Sequence, residues 1–174
     1  MKSIEDYIKS IPDFPKPGIV FRDITGVLED ADGLKITLET LYSVLEKIEF
    51  DVVAGLEARG FLFGVPIAEH FHKPFVAVRK KGKLPRETVS VEYDLEYGSA
   101  SIEIHKDALK AGDRIVIVDD LLATGGTAKA AIKLIEKLGG KVECCAFVIE
   151  LFDLKGREVL DGYRIETLTK FPGH

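Results

Sequence analysis

Cysteine is scarce in this chain. The two present, Cys144 and Cys145, are neighbours. A disulfide between adjacent residues is geometrically poor, and no zinc-ligand spacing exists. A disulfide-stapled scaffold and a zinc module are both excluded. Buried, inert thiols in a reducing cytosol fit better, and in a strand the pair would face opposite sides. Long apolar runs are missing too. The longest uncharged stretch, residues 60–68, falls far short of the ~20 residues of a membrane span. The N-terminus turns acidic within six residues and has no apolar h-region, so no signal peptide is expected. Positive charge is not in excess: 24 Lys and Arg against 29 Asp and Glu leave a net charge of −5. That argues against general nucleic-acid binding, while a local basic patch stays open. Neither a Walker A ending nor a G-x-G-x-x-G fingerprint occurs. There is no internal repeat, low-complexity tract or linker. A single cytoplasmic domain over residues 1–174, with one real core, is the expectation.

What is present is organised around residues 115–129, IVIVDDLLATGGTAK. Four apolar residues at 115–118 read as a strand buried on both faces. Asp119 and Asp120 follow at once. Then comes a short turn, Ala123, Thr124, Gly125, Gly126 and Thr127, and a helical pattern with apolar Ala131, Ile132, Ile135 and Leu138. A helix entered through a glycine-rich loop leaves its first N–H groups unpaired, which makes an anion site. The carboxylates cannot hold phosphate but suit hydroxyl groups. A phosphate cradle beside hydroxyl acceptors describes a ribose 5-phosphate. The plainer alternative is a solvated strand end and an ordinary turn.

Residues 116–128, VIVDDLLATGGTA, resemble the phosphoribosyl-pyrophosphate (PRPP) signature of type I phosphoribosyltransferases, in the form typical of the adenine-using members. The resemblance implies that Asp119 and Asp120 contact the ribose hydroxyls and that residues 123–127 wrap the 5-phosphate. It extends along most of the chain, from about residue 4 to 171.

Upstream, Ser3 and Asp6 can cap a short helix over residues 4–9. Pro12, Pro15, Pro17 and Gly18 then break regular structure before Val20, Phe21 and Arg22. Read alone, this stretch is either a packed arm or a pocket wall. FPKPGIVFRDIT, residues 14–25, is similar to the family's hood over the base, about residues 1–30 here. The resemblance implies that the Val20 backbone and the Phe21 ring contact adenine and that Arg22 closes the pocket. Asp32 is a plausible N-cap for a helix over 33–47. Residues 50–54 read as a short strand, 55–60 as a tight loop and 61–71 as a helix. Arg59 in that loop is either an exposed charge or an anion ligand. GLEARGFLFG resembles the family's pyrophosphate loop, which favours the ligand and implies a cis peptide at Glu57–Ala58.

Residues 73–78 form the next expected strand. Behind it Arg79, Lys80, Lys81, Lys83 and Arg86 crowd a loop marked by Gly82 and Pro85. A solvated basic turn is one reading. The resemblance of VRKKGKLPRETV to the family segment assigns Arg79, Lys80 and Lys83 to pyrophosphate. Residues 88–104 alternate as a hairpin does, and His105 reads as surface or strand edge. YDLEYG resembles the core of the family's mobile catalytic loop, within about 79–104, and implies Glu96 as acid/base with Tyr97 beside it. Strands at 141–149 and 159–168 complete an alternation that argues for a mostly parallel sheet covered on both faces.

The resemblance thus implies an α/β type I phosphoribosyltransferase fold that converts adenine and PRPP to AMP and pyrophosphate. Mg²⁺ would be held mainly by PRPP and water, with no direct protein ligand, and the chain would form a homodimer. Two other readings stay open: a transferase for hypoxanthine, guanine, xanthine or orotate, and a non-enzymatic regulator that senses PRPP or purines.

Overall fold

The computed structural model describes residues 1–95 and 97–173. A 3-10 turn at Ile4–Tyr7 opens the chain, with Ser3 and Asp6 forming the expected capping box. Strands β1 (Lys9–Pro12) and β2 (Val20–Asp23) pair antiparallel as a small separate sheet. A short helix α1 (Thr25–Leu28) leads to α2 (Ala31–Leu45). Its N-cap is Asp30 and not Asp32. Asp30 is extended, and its carboxylate accepts from the N–H groups of Asp32 and Gly33 at 2.9 and 3.1 Å. Asp32 sits inside the first turn, where a negative charge meets the positive end of the helix dipole.

The main sheet has seven strands. β3 (Val52–Leu56), β4 (Phe75–Lys80), β7 (Arg114–Leu122), β8 (Lys141–Leu151) and β9 (Ile165–Phe171) run parallel, in the order β4-β3-β7-β8-β9. The expected hairpin, β5 (Thr88–Asp94) and β6 (Ser99–His105), adds an antiparallel edge beside β4. Helix α3 (Arg59–His70) links β3 to β4, and α4 (Gly126–Lys137) links β7 to β8. The last helix, α5 (Gly156–Val159), ends on Val159, the expected start of the final strand; that strand starts only at Ile165.

Residues 115–118 are at most 1 % exposed, so this strand is buried on both faces as its apolar run implies. Alternation divides two cores. Ile115, Ile117 and Cys145 pack with Ala131, Leu134 and Ile135 of α4; Val116, Val118 and Cys144 pack with Leu41, Leu45, Phe63 and Ile67 of α2 and α3. The adjacent cysteines therefore face opposite ways, both free, with burial pushing each thiol up to about 12.

Three further boundaries differ from expectation, and all bear on the site. β7 runs through Leu122 because its pairing with β8 continues to Leu122 opposite Glu150. Asp119 and Asp120 thus lie in the strand, held by its ladder. Arg79 and Lys80 end β4 instead of floating in a loop, because they pair with Glu103 and Ile102 of β6. Helix α3 begins at Arg59, two residues early.

Candidate active site

The connections at the two central strands diverge. From β3 the chain crosses through α3 to one side of the sheet; from β7 it crosses through α4 to the other. Such a switch point opens a crevice at the carboxyl ends of the strands. The crevice here holds a cavity of about 390 Å³, walled by Glu57, Ala58, Arg59, Arg79, Lys80 and Asp119, with Asp120, Tyr93 and Thr127 completing the polar lining.

Next to it lies a recess of about 90 Å³, lined by Asp119 and residues 121–128, with Phe147 at its base. Gly125 stands at the N-cap of α4 with φ 87°, a left-handed conformation that glycine adopts without strain, and offers no side-chain cap. The first N–H groups of α4 therefore open into the recess, where an anion can take them. Asp119 and Thr127 line both spaces. Ala123, Thr124, Gly125, Gly126 and Thr127 are all brought together as expected.

Electrostatics organise the larger cavity. Asp120 is 5 % exposed, and its Oδ2 accepts from Arg59 Nε at 2.5 Å. Burial alone would pull the Arg59 guanidinium down, but Asp120, Asp119 and Asp23 together raise it. Burial and the neighbouring Asp120 push the Asp119 carboxyl well above the ordinary carboxylate range, against the pull of Arg59. Two adjacent carboxylates in one crevice resist carrying two charges until a partner arrives.

A second anion–cation cluster was not legible beforehand. The Glu57–Ala58 peptide is cis, as the resemblance implies. The Glu57 side chain, 9 % exposed, gathers two of the cations expected to bind pyrophosphate, Arg79 and Lys83, and the backbone of a third, Lys80. Arg79 Nε and the Lys80 N–H both donate to Oε1 at 3.0 Å, and Lys83 Nζ donates to Oε2 at 2.7 Å. Burial pushes this carboxyl up, but the donors from Lys83, Lys80 and Arg79 outweigh it and hold the group at about 2. Glu103, 4 % exposed, fixes the same loop by accepting from the N–H groups of Gly82 and Leu84 and from the Thr88 hydroxyl. Glu57 lies in the GLEARGFLFG motif, but nothing there marks its side chain as the partner of these cations, and no motif marks Glu103. Only the sheet edge selects them.

Other expected residues lie outside the cavity wall. Val20, Phe21 and Arg22 occupy β2, where Phe21 meets Phe14 edge-on at 5.3 Å. Arg22 donates to the Ser10 hydroxyl and to the Pro172 carbonyl, and covers the Phe171 ring at 4.9 Å. Tyr97 is 84 % exposed between β5 and β6. Glu96 lies outside the described residues. His105 accepts from the Arg86 N–H at the strand end, an edge role as expected.

Two contacts join the recess to the rest. The Thr127 hydroxyl lies 3.4 Å from the Tyr93 hydroxyl of the hairpin. Beneath the recess, Gly156 packs so closely that a Cβ there would meet the Ala123 carbonyl oxygen at 2.6 Å. Arg157 anchors that segment through both oxygens of buried Glu150, at 2.9 Å each.

Residues 30–170 match the family described as "Phosphoribosyl transferase domain". The chain is 56 % identical over 173 residues to an adenine phosphoribosyltransferase of Agathobacter rectalis, covering 99 % of both. A crystal structure of adenine phosphoribosyltransferase from Thermoanaerobacter pseudethanolicus superposes with a TM-score of 0.93 at 57 % identity, over 97 % of this chain and 98 % of that one. The Saccharomyces cerevisiae enzyme, complexed with D-2,5-dideoxy-2,5-imino-altritol 1,6-bisphosphate and adenine, gives a TM-score of 0.87 at 39 % identity, over 95 % and 96 %.

Proposed function

The chain belongs to the phosphoribosyltransferase family, in its adenine branch, and from that we propose which of its residues carry the reaction. The activity is transfer of the 5-phosphoribosyl group of PRPP to adenine, giving AMP and pyrophosphate in purine salvage. One observation carries the assignment of parts. Two cavities flank the carboxylate pair Asp119 and Asp120, one lined by Arg59, Arg79 and Lys80 and one by the start of α4, which suits a phosphorylated sugar with a second anionic group.

In this reading residues 123–127 and the start of α4 hold the 5-phosphate. Asp119 and Asp120 hold the ribose hydroxyls and orient C1. Arg59, Arg79, Lys80 and Lys83 neutralise the departing diphosphate. Displacement at an anomeric carbon passes through a transition state with oxocarbenium character. It needs a positioned base, a stabilised leaving group and little water. Adenine lies against Val20, Phe21 and Arg22; stacking on Phe21 is worth about 1–3 kcal/mol. Glu96 manages the proton at the adenine imidazole nitrogen, and Tyr97 closes over the site with the hairpin tip.

The oxygen-rich surroundings of Asp119 and Asp120 suit a Mg²⁺ carried by PRPP and water, without a direct protein ligand. No third His, Cys, Asp or Glu joins them among the described residues. An ion there would take most ligands from PRPP and water. When bound it supplies charge neutralisation on the diphosphate. A homodimer fits the exposed Leu62 and Val65, 47 % and 49 % exposed on α3, and light scattering tests it. No helix among the described residues is long and apolar enough to cross a membrane. Free, buried Cys144 and Cys145 fit a reducing cytoplasm.

The test is AMP formation from PRPP, Mg²⁺ and adenine, with hypoxanthine and guanine in parallel. Turnover with adenine alone is expected. Turnover of another base would overturn the pocket assigned to Val20, Phe21 and Arg22. Binding of PRPP without turnover of any base would point to a sensor. Glu96→Ala should lower kcat more than it raises KM; full turnover would remove Glu96 from the mechanism.

A further inference from the structure

Three of the cations in and beside the large cavity, Arg59, Arg79 and Lys83, are already paired. Asp120 holds Arg59. Glu57 holds Arg79 and Lys83 and also takes the Lys80 N–H. Both Glu57 oxygens are used, and they draw together donors from the end of β4 and from the loop after it. This is the arrangement an oxyanion group would impose, made here by a side chain that itself lines the cavity. The loop does not depend on Glu57 for its place. Glu103 fixes it separately through Gly82, Leu84 and Thr88. Glu57 therefore has a consequence beyond holding the loop: any anion entering the cavity must share Arg79, which lines it, and Lys83, which reaches Glu57 from the adjoining loop, with a carboxylate already on them.

We propose that Glu57 is a positioning residue that acts as an internal counter-anion, keeping Arg79 and Lys83 converged at the cavity and competing with diphosphate for them. The competition weakens the hold on the product and speeds its departure. This inference rests on the reading of the cavity as the diphosphate site. Like charges brought together around a shared cation cost binding free energy, so the effect of Glu57 on diphosphate is opposed in sign to that of the cations beside it.

Glu57→Gln tests it. The amide is the same size, and its oxygen keeps accepting from Arg79 Nε and the Lys80 N–H, while its NH₂ cannot accept from Lys83. Inorganic diphosphate, with Mg²⁺ at fixed ionic strength, is titrated calorimetrically into the full-length protein. Its Kd should fall about tenfold, equivalent to about 1.4 kcal/mol, and diphosphate should become a correspondingly stronger product inhibitor. In a Lys83→Met background most of that gain should vanish, since the two residues act as a pair. Glu57→Asp keeps the charge but is one methylene too short to reach Lys83; it should tighten diphosphate by a smaller factor and covers the case in which the glutamine variant does not fold. A structural role alone would leave Kd unchanged or raise it. Unchanged or weaker binding in the variants that fold overturns the proposal. Diphosphate that does not bind the unaltered protein, or is not displaced from it by PRPP, overturns the cavity assignment and this inference with it.

Discussion

Gly60 is where helix α3 crosses strand β7 next to the carboxylate pair, and replacing it with alanine should damage fold and catalysis together. A Cβ at Gly60 would lie 2.6 Å from the Val118 carbonyl oxygen and 3.2 Å from both Cα and Oδ1 of Asp119. The first contact is about 0.8 Å inside ordinary van der Waals separation, and backbone on each side cannot rotate away. Alanine favours a helix over glycine by up to about 1 kcal/mol, less near the first turn. Overpacking between rigid elements costs about 1–3 kcal/mol, so the clash wins. For a chain of this size each kcal/mol lowers Tm by about 2–4 °C, and a fall of several degrees is expected. The larger effect is on chemistry. Relief of the clash moves α3, which carries Arg59, away from β7, which carries Asp119 and Asp120. A displacement approaching 1 Å can cost about 10²-fold in rate. Thermal unfolding and AMP formation measured on one preparation check both halves. A Gly60→Ala protein with unaltered Tm and turnover would refute the claim that this crossing sets the site.

Gly126→Ala should behave in the opposite way. Nothing lies within 4 Å of its added Cβ, so stability should hold or rise by about 0.4–1 kcal/mol, while the methyl at the recess raises the KM for PRPP on the order of tenfold; unchanged KM would remove Gly126 from the phosphate cradle. Among the described residues, Arg157→Met leaves the Glu150 side chain, 6 % exposed, with only Thr167 at 2.9 Å and Lys170 at 4.0 Å. Loss of about 2–3 kcal/mol is expected, with a raised KM for PRPP through Gly156, and adding Glu150→Gln should recover part of the stability; a single variant as stable as the parent would contradict this. Asp119 titrates above its ordinary range in the fold, so ionising it opposes folding, and the penalty grows as pH rises above the unfolded carboxylate value. Asp119→Asn should then be more heat-stable than the parent by about 1 kcal/mol at pH 8, with the gap closing toward pH 4 and activity lost; a lower Tm at pH 8 would contradict the sign.

The sequence by itself determined the βα unit at the centre. Four consecutive apolar residues can only be buried on both faces of a sheet, and a glycine turn before a helix leaves donors for an anion. Those are local consequences of composition and order, so residues 115–127 could be read in one dimension. So could the opposed cysteines, because strand alternation is local. Tertiary structure alone decided the rest. Whether Asp119 and Asp120 lie in or after the strand depends on pairing with β8. That Arg79 and Lys80 end a strand depends on pairing with Glu103 and Ile102 of β6, distant in order but adjacent in space. Most of all, Glu57, Glu103 and Glu150 look like any other acidic residue until the fold buries each one against its own cations or amides. Burial and the partner it supplies are long-range properties, and they separate a solvated charge from one that shapes the site.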